Sequence, residues 1–337
     1  MKVIIPLAGF GTRLRPHTYS KPKPLVNVAG KPVLGHILDK LVDLAPEEVI
    51  FITGYLGEQI QAYVEANYDL PARYVEQKEM KGQAHAIRLA KDLVEGPVLI
   101  IFVDTIFETD LHDLDQVDAD GILYVKRVDD PRRFGVAVLE DSRVTRLIEK
   151  PTSFEHNLAV IGVYYLRDAA WLMSAIDELI ERDIKTHGEY FLADALQIMI
   201  EQGAKLTARC LEVWEDCGKP ETVLHTNRYL LEHGSQQLGT TVNSIVIPPV
   251  YIAKTATVED SIIGPYVTIA DEAVIRNSIV RDSIIDERSR IEDAMLSGSL
   301  IGRDARVAGS FERLNVGDSS QVDFAEHNGN GNGNGKG

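Results

Sequence analysis

Along the first two-thirds of the chain, short apolar runs alternate with stretches whose apolar residues recur at helical spacing. In the last third, aliphatic residues return at six-residue steps. Residues 3–7, 49–53, 72–75, 98–103, 121–125 and 159–166 have the length and apolar or β-branched content of strands. Helical patterns lie between them at about 33–45, 58–67, 83–94, 169–182, 191–202 and 220–233. This alternation predicts an α/β domain around a mostly parallel sheet, spanning residues 1–238. The run Val98-Leu-Ile-Ile-Phe-Val103 is apolar throughout, as a central strand covered on both faces should be, and it ends at Asp104. Ligands of open α/β sheets collect at such carboxyl ends.

The six-residue steps run through Ile252 and Val258; Ile263, Ile269 and Ile275; Ile279, Ile285 and Ile291; then Ile301 and Val307. One buried aliphatic per short strand is the pattern of a β-helix, in which stacked coils share a continuous core. The steps reset between groups, so irregular coils are expected, roughly three to four of them, over residues 239–325. An antiparallel sandwich is the alternative for this region. Residues 326–337, mostly Gly and Asn, lack apolar surface to bury and are expected to be disordered.

Charge narrows the partners. Asp and Glu number 51 against 35 Lys and Arg, a formal net charge of -16, which argues against general affinity for nucleic-acid backbone or anionic membrane. An anionic ligand must then be captured by a local site. Two cysteines, Cys210 and Cys217, make neither a disulfide framework nor a four-ligand zinc site. The first apolar run breaks at Gly9, too short for a signal-peptide core or membrane span, so a cytoplasmic location is expected.

The candidate chemistry begins where the first strand enters Ala8-Gly9-Phe10-Gly11-Thr12-Arg13. A glycine turn after a strand presents consecutive backbone N–H groups that can cradle phosphate oxygens. Arg13 and Lys23 would add positive charge to a triphosphate held there.

Residues 7–16, reading LAGFGTRLRP, together with Thr18 and Pro22-Lys23-Pro24-Leu25, resemble the signature of sugar-1-phosphate nucleotidyltransferases. The long-form glucose-1-phosphate thymidylyltransferases are the most similar branch, down to Leu314-Asn315-Val316-Gly317-Asp318 near the end. Phe10 stands where many members carry a second glycine, and the turn survives this departure if Phe10 points outward. The resemblance implies a Rossmann-like nucleotidyltransferase domain followed by a hexapeptide-repeat left-handed β-helix. It implies attack of a sugar-1-phosphate oxygen on the α-phosphorus of a nucleoside triphosphate, giving an NDP-sugar and pyrophosphate. Two anions must be brought together, so charge neutralisation and in-line positioning would supply most of the catalysis.

By the same resemblance, Leu7, Ala8, Gly9, Gly11, Thr12 and Arg13 would hold the nucleotide, and Lys23 would neutralise the α-phosphate and departing pyrophosphate. Asp104 and Asp216 would hold Mg2+, which prefers hard oxygen ligands and completes its shell with phosphate. Gln77 and Gly82 would read the base, since an amide can pair with a pyrimidine imide edge and a glycine allows close approach. Gly135, Glu149, Lys150, Asn157 and Gly162 would line the sugar-phosphate pocket, with Gly188 and Glu189 beside them. The substrates expected are dTTP and glucose-1-phosphate, with UTP and glucose-1-phosphate or GTP and mannose-1-phosphate as alternatives. A homo-oligomer is expected. Two other classes remain. One is a bifunctional enzyme whose β-helix transfers an acetyl group, against which stands the absence of His from residues 252–307. The other is an inactive regulatory relative.

Overall fold

The computed structural model describes residues 1–234 and 236–309. Its first sheet has nine strands in the order Ala72–Glu76, Glu48–Thr53, Lys2–Pro6, Val98–Ile101, Leu158–Leu166, Gly121–Arg127, Leu206–Cys210, Arg143–Glu149 and Gly135–Glu140. Leu158–Leu166 and Arg143–Glu149 run against the other seven. The first four strands of that order are mutually parallel, so their carboxyl ends share one edge.

Period-two alternation divides these strands between two cores. Val3, Ile5, Leu99 and Ile101 face one core with helices Val33–Leu44 and Gly57–Asn67. Ile4, Val98 and Ile100 face the other, with helices Gln83–Arg88, Ala169–Glu181 and Leu192–Glu201. Each fully buried Ile or Leu contributes about 1.5–3 kcal/mol. Asp168 caps its helix by accepting N–H bonds from Ala170 and Trp171 at 2.9 and 3.3 Å.

Two elements differ from the sequence pattern. The apolar run from Val98 stops being a strand at Ile101, and a turn through Asp104 starts a second strand, Thr105–Glu108, which pairs with Val213–Asp216. The helix expected over 83–94 ends at Arg88; tighter bonds from Leu89 to Ala86 and from Ala90 to Ile87 lead into a 3₁₀ turn at Lys91–Leu93.

After helix Pro220–Glu232 the texture changes to three stacked parallel sheets of five, four and four short strands, a left-handed β-helix. Ile252, Val258, Ile263, Ile269, Ile275, Val280, Ile285 and Ile291 form its core. The expected inward position of Ile279 is corrected: its neighbour Val280 is fully buried and Ile279 faces outward. One side of the coil takes five residues where six were expected, so Ile275 is followed inward by Val280. Ile263, Val280 and Leu296 stack in one column, 17 and then 16 residues apart. The expectations for Leu314 to Asp318 and for the tail at 326–337 lie outside the described residues.

Candidate active site

Four parallel strands deliver the first half of the site. Lys2–Pro6 runs into Leu7, Glu48–Thr53 into Gly54, Ala72–Glu76 into Gln77, and Val98–Ile101 into Asp104. Their shared edge opens into a cleft of about 430 Å3 lined by Leu7, Ala8, Gly9, Gly11, Thr12, Arg13, Lys23, Gln77, Gly82, Asp104 and Glu189, among others. All the residues expected to bind nucleotide therefore meet in one cavity.

The turn is held locally. Gly11 has φ 62°, and a Cβ there would stand 3.0 Å from Lys23 Cβ and 3.1 Å from Thr18 Cγ2. Thr18 Oγ1 donates to the Gly11 carbonyl at 2.8 Å, which ties the turn to the segment carrying Lys23. Phe10 is 47% exposed, and its ring lies 5.8 Å from that of Tyr55. The expected outward ring is present. Gly82 has φ 111°, and a Cβ would come within 2.5 Å of the Tyr190 carbonyl, so glycine is required there. Gln77 is buried, with its amide 3.5 Å from the Gly82 carbonyl and 3.3 Å from His85 Nδ1. Burial draws the pKa of His85 below its ordinary value, so it faces Gln77 as a neutral ring.

A second cavity of about 420 Å3 adjoins the first and is lined by Gly135, Glu149, Lys150, Gly162, Phe134, Arg133, Trp214 and Asp216, among others. Arg13, Gln83, Phe102 and Asp104 line both cavities, so they mark the passage between them. Gly135 pairs with Glu149 across the sheet, and a Cβ on Gly135 would lie 2.8 Å from Glu149 Oε2. At Gly162, φ 83°, the register of Leu158–Leu166 slips, and its carbonyl takes the N–H of Phe102 at 2.8 Å. Burial raises the Glu149 carboxyl pKa; Lys150, 4.0 Å away, opposes the rise, and Asp194 adds to it.

Of the two expected metal carboxylates, Asp104 lies in the turn that opens strand Thr105–Glu108 and Asp216 ends the neighbouring strand Val213–Asp216. Asp216 lies opposite Thr105, and Cys217 donates its N–H to the Asp104 carbonyl at 2.7 Å. Lys23 Nζ is 3.2 Å from Asp104 Oδ2, and Asp216 Oδ1 accepts from the Gly218 N–H at 2.8 Å. No cluster of three or more His, Cys, Asp or Glu forms a metal cage among the described residues. Two carboxylates that both line the second cavity nevertheless suit Mg2+, which keeps waters and takes phosphate oxygens rather than a full protein shell. Burial pushes the Cys217 thiol up to about 12, so it stays protonated.

Asn157 and Gly188 are expected residues that do not join them, since neither lines a cavity, and Glu189 lines the first cavity instead of the second. The Asn157 amide oxygen accepts from Arg127 Nη1 at 2.9 Å. Arg133 and Trp214 line the second cavity without having been expected there, and Trp214 meets Phe134 edge to face at 5.2 Å. Strand periodicity was the available signal for Trp214, since residues two apart on a strand share a face and Trp214 precedes Asp216 by two.

Residues 2–233 match the family described as Nucleotidyl transferase, and residues 224–310 match that described as GlmU-like, C-terminal hexapeptide. The chain belongs to the nucleotidyl transferase family. It is 36% identical over 234 residues to the bifunctional protein GlmU of Methanocaldococcus jannaschii, a match that covers 69% of this chain and 55% of that protein. This chain thus spans about half the length of that relative. It is 33% identical to the UTP–glucose-1-phosphate uridylyltransferase AglF of Haloferax volcanii, covering 70% of this chain and 99% of AglF. With the glucose-1-phosphate thymidylyltransferase of Streptomyces antibioticus it shares 30% identity over 96% of this chain and 99% of that protein.

Proposed function

We propose that the protein transfers a nucleotidyl group from a nucleoside triphosphate to a hexose-1-phosphate, releasing pyrophosphate, with dTTP and glucose-1-phosphate as the substrates. The observation that carries the reading is the pair of adjoining cavities joined at Arg13 and Asp104, one lined by the glycine turn with Arg13 and Lys23 and the other by Glu149 and Lys150. Two anions need separate seats and a shared cationic junction.

In this reading the triphosphate lies along residues 7–13, with Arg13 across its phosphates. Lys23, 3.2 Å from Asp104 Oδ2, would neutralise the α-phosphate as negative charge develops in the transition state. Asp104 and Asp216 would hold Mg2+, which when bound would polarise the phosphate oxygens and neutralise their charge. Gln77 and the Gly82 backbone face the base. In the second cavity Glu149 accepts from sugar hydroxyls, Lys150 holds the sugar phosphate, and Gly135 and Gly162 keep the wall free of side chains. Direct displacement at phosphorus needs no protein nucleophile, and the neutral Cys217 thiol supplies none.

Likeness to the Streptomyces thymidylyltransferase along nearly the whole chain supports dTTP. Likeness to AglF makes uridylyl transfer to glucose-1-phosphate the second reading. Among the described residues no helix is long and apolar enough to cross a membrane, which fits small soluble substrates. The outward column Ile245, Ile262, Ile279 and Met295 on the β-helix, whose ends are 61% and 70% exposed, supports self-association. Sedimentation velocity would read it. The test of activity is a matrix of five nucleoside triphosphates against glucose-, mannose-, galactose- and N-acetylglucosamine-1-phosphate with Mg2+. Preferred pyrophosphate release with dTTP and glucose-1-phosphate is expected, and a clear preference for GTP with mannose-1-phosphate rejects the choice.

A further inference from the structure

One face of the β-helix lies along residues 17–30, directly after the phosphate-binding turn, and each coil in succession supplies a contact. From the first coil, the Tyr251 ring covers Gly30, where an added Cβ would stand only 2.2 Å from the ring. From the second, Thr268 Oγ1 donates at 2.6 Å to Asn227 Oδ1, which also accepts the Ala29 N–H at 2.8 Å. The third brings Asp286, which receives Lys21 Nζ at 2.9 and 2.6 Å on its two oxygens and Asn27 Nδ2 at 3.0 Å. The fourth sets Gly302 beside His17. The seam around Lys21 and Asp286 holds a void of only about 20 Å3, at most one water.

Lys21 is the informative member. Its side chain is 4% exposed, and its ion partners, Asp286 and Glu287 at 3.9 Å, both belong to the β-helix. A buried ammonium is costly unless it is paired and hydrogen-bonded, so the place of Lys21 is dictated from the second domain. Lys21 is joined to Lys23 through Pro22, with Pro24 beyond, and proline fixes φ at both positions. A shift at Lys21 is therefore passed on to Lys23 with little slack. Lys23 in turn reaches Asp104 at 3.2 Å in the passage between the two cavities.

We infer that Asp286 is a positioning residue for nucleotidyl transfer: through Lys21 and Asn27 it sets the run that carries Lys23, so the β-helix completes the catalytic geometry of the first domain. The inference rests on the proposed role of Lys23, and the test separates the two. Pyrophosphate release with dTTP and glucose-1-phosphate is measured for wild type, Asp286→Ala, Lys23→Met and the double variant. A misplacement near 1 Å lowers turnover by up to about 100-fold. Asp286→Ala is expected to lower kcat about 10- to 100-fold, to leave KM for glucose-1-phosphate unchanged, and to add nothing in the Lys23→Met background. A general structural defect would multiply with Lys23→Met instead, and that result, or an unchanged kcat in folded Asp286→Ala, overturns the inference. If Asp286→Ala does not fold, Lys21→Met with Asp286→Leu removes both charges at similar volume. Loss of kcat in that folded pair supports positioning, and wild-type kcat overturns it. Should Lys23→Met alone leave wild-type release unaltered, the assigned function of Lys23 fails, which is a separate outcome.

Discussion

The two domains use buried aliphatic residues in opposite ways. In the α/β domain each strand end carries something different, a glycine turn at Leu7, an amide at Gln77, a carboxylate at Asp104, and these converge on one edge. In the β-helix every coil repeats the last, and its inward columns of Ile and Val make a uniform core. Variety at strand ends produces a site, while repetition produces a rod, and the rod meets the first domain along residues 17–30 and at helix Pro220–Glu232, where Asn227 accepts from Thr268 and Arg228 pairs with Asp282. Substitutions at the strand-end site residues of the first domain should therefore remove activity and spare stability, and those in the core of the β-helix should do the reverse, with the seam as the exception.

The largest effect expected is at the paired carboxylates. Asp104→Asn and Asp216→Asn should each lower kcat about 100- to 1,000-fold, the scale for losing one electrostatic group in a preorganised site. Asp104 is 42% exposed, so its melting temperature should stay within about 2 °C of wild type, as calorimetry would show. A large stability loss in Asp104→Asn would break the contrast from one side. From the other side, Ile275→Ala opens a cavity at a fully buried position of the β-helix and should cost about 2–5 kcal/mol in denaturant unfolding. Turnover measured well below its melting transition should remain near wild type.

Gln77→Ala sharpens the comparison within the first domain. It should leave kcat with the best nucleotide within about tenfold while flattening the ranking of dTTP against GTP, because the lost contact is one amide pair. The smallest effect is a pH dependence. Burial raises the Glu149 carboxyl pKa, so the folded protein binds that proton more tightly than the unfolded chain. The contribution is fully present below the unfolded value near 4.5 and is lost as pH rises through the higher folded value. Glu149→Gln should remove this slope and raise the melting temperature slightly at neutral pH, while weakening binding of glucose-1-phosphate.

Most of the architecture was legible because strand and helix periods are local signals. The six anticipated strands and the helices at Val33–Leu44 and Ala169–Glu181 follow from apolar spacing alone. The hairpin Gly135–Glu140 with Arg143–Glu149 was not legible, since Val136, Ala137, Val138 and Leu139 run apolar without period-two contrast, and it supplies a wall of the second cavity. Ile279 and Val280 show a finer limit. Either could face inward by composition, and a corner one residue shorter decides it. Lys21 and Asp286, 265 residues apart, were not legible as a pair, because sequence spacing carries no information about which coil meets which loop.

One cleft with two chambers would seat nucleotide and hexose on either side of Arg13 and Asp104. A crystal structure of the protein with dTDP-glucose and Mg2+ tests it most directly. The base is expected against Gln77 and Gly82, the diphosphate over residues 7–13, and the hexose between Gly135 and Glu149. A hexose bound outside the Gly135 and Glu149 chamber, or a base seated against Phe134 and Trp214, would contradict it.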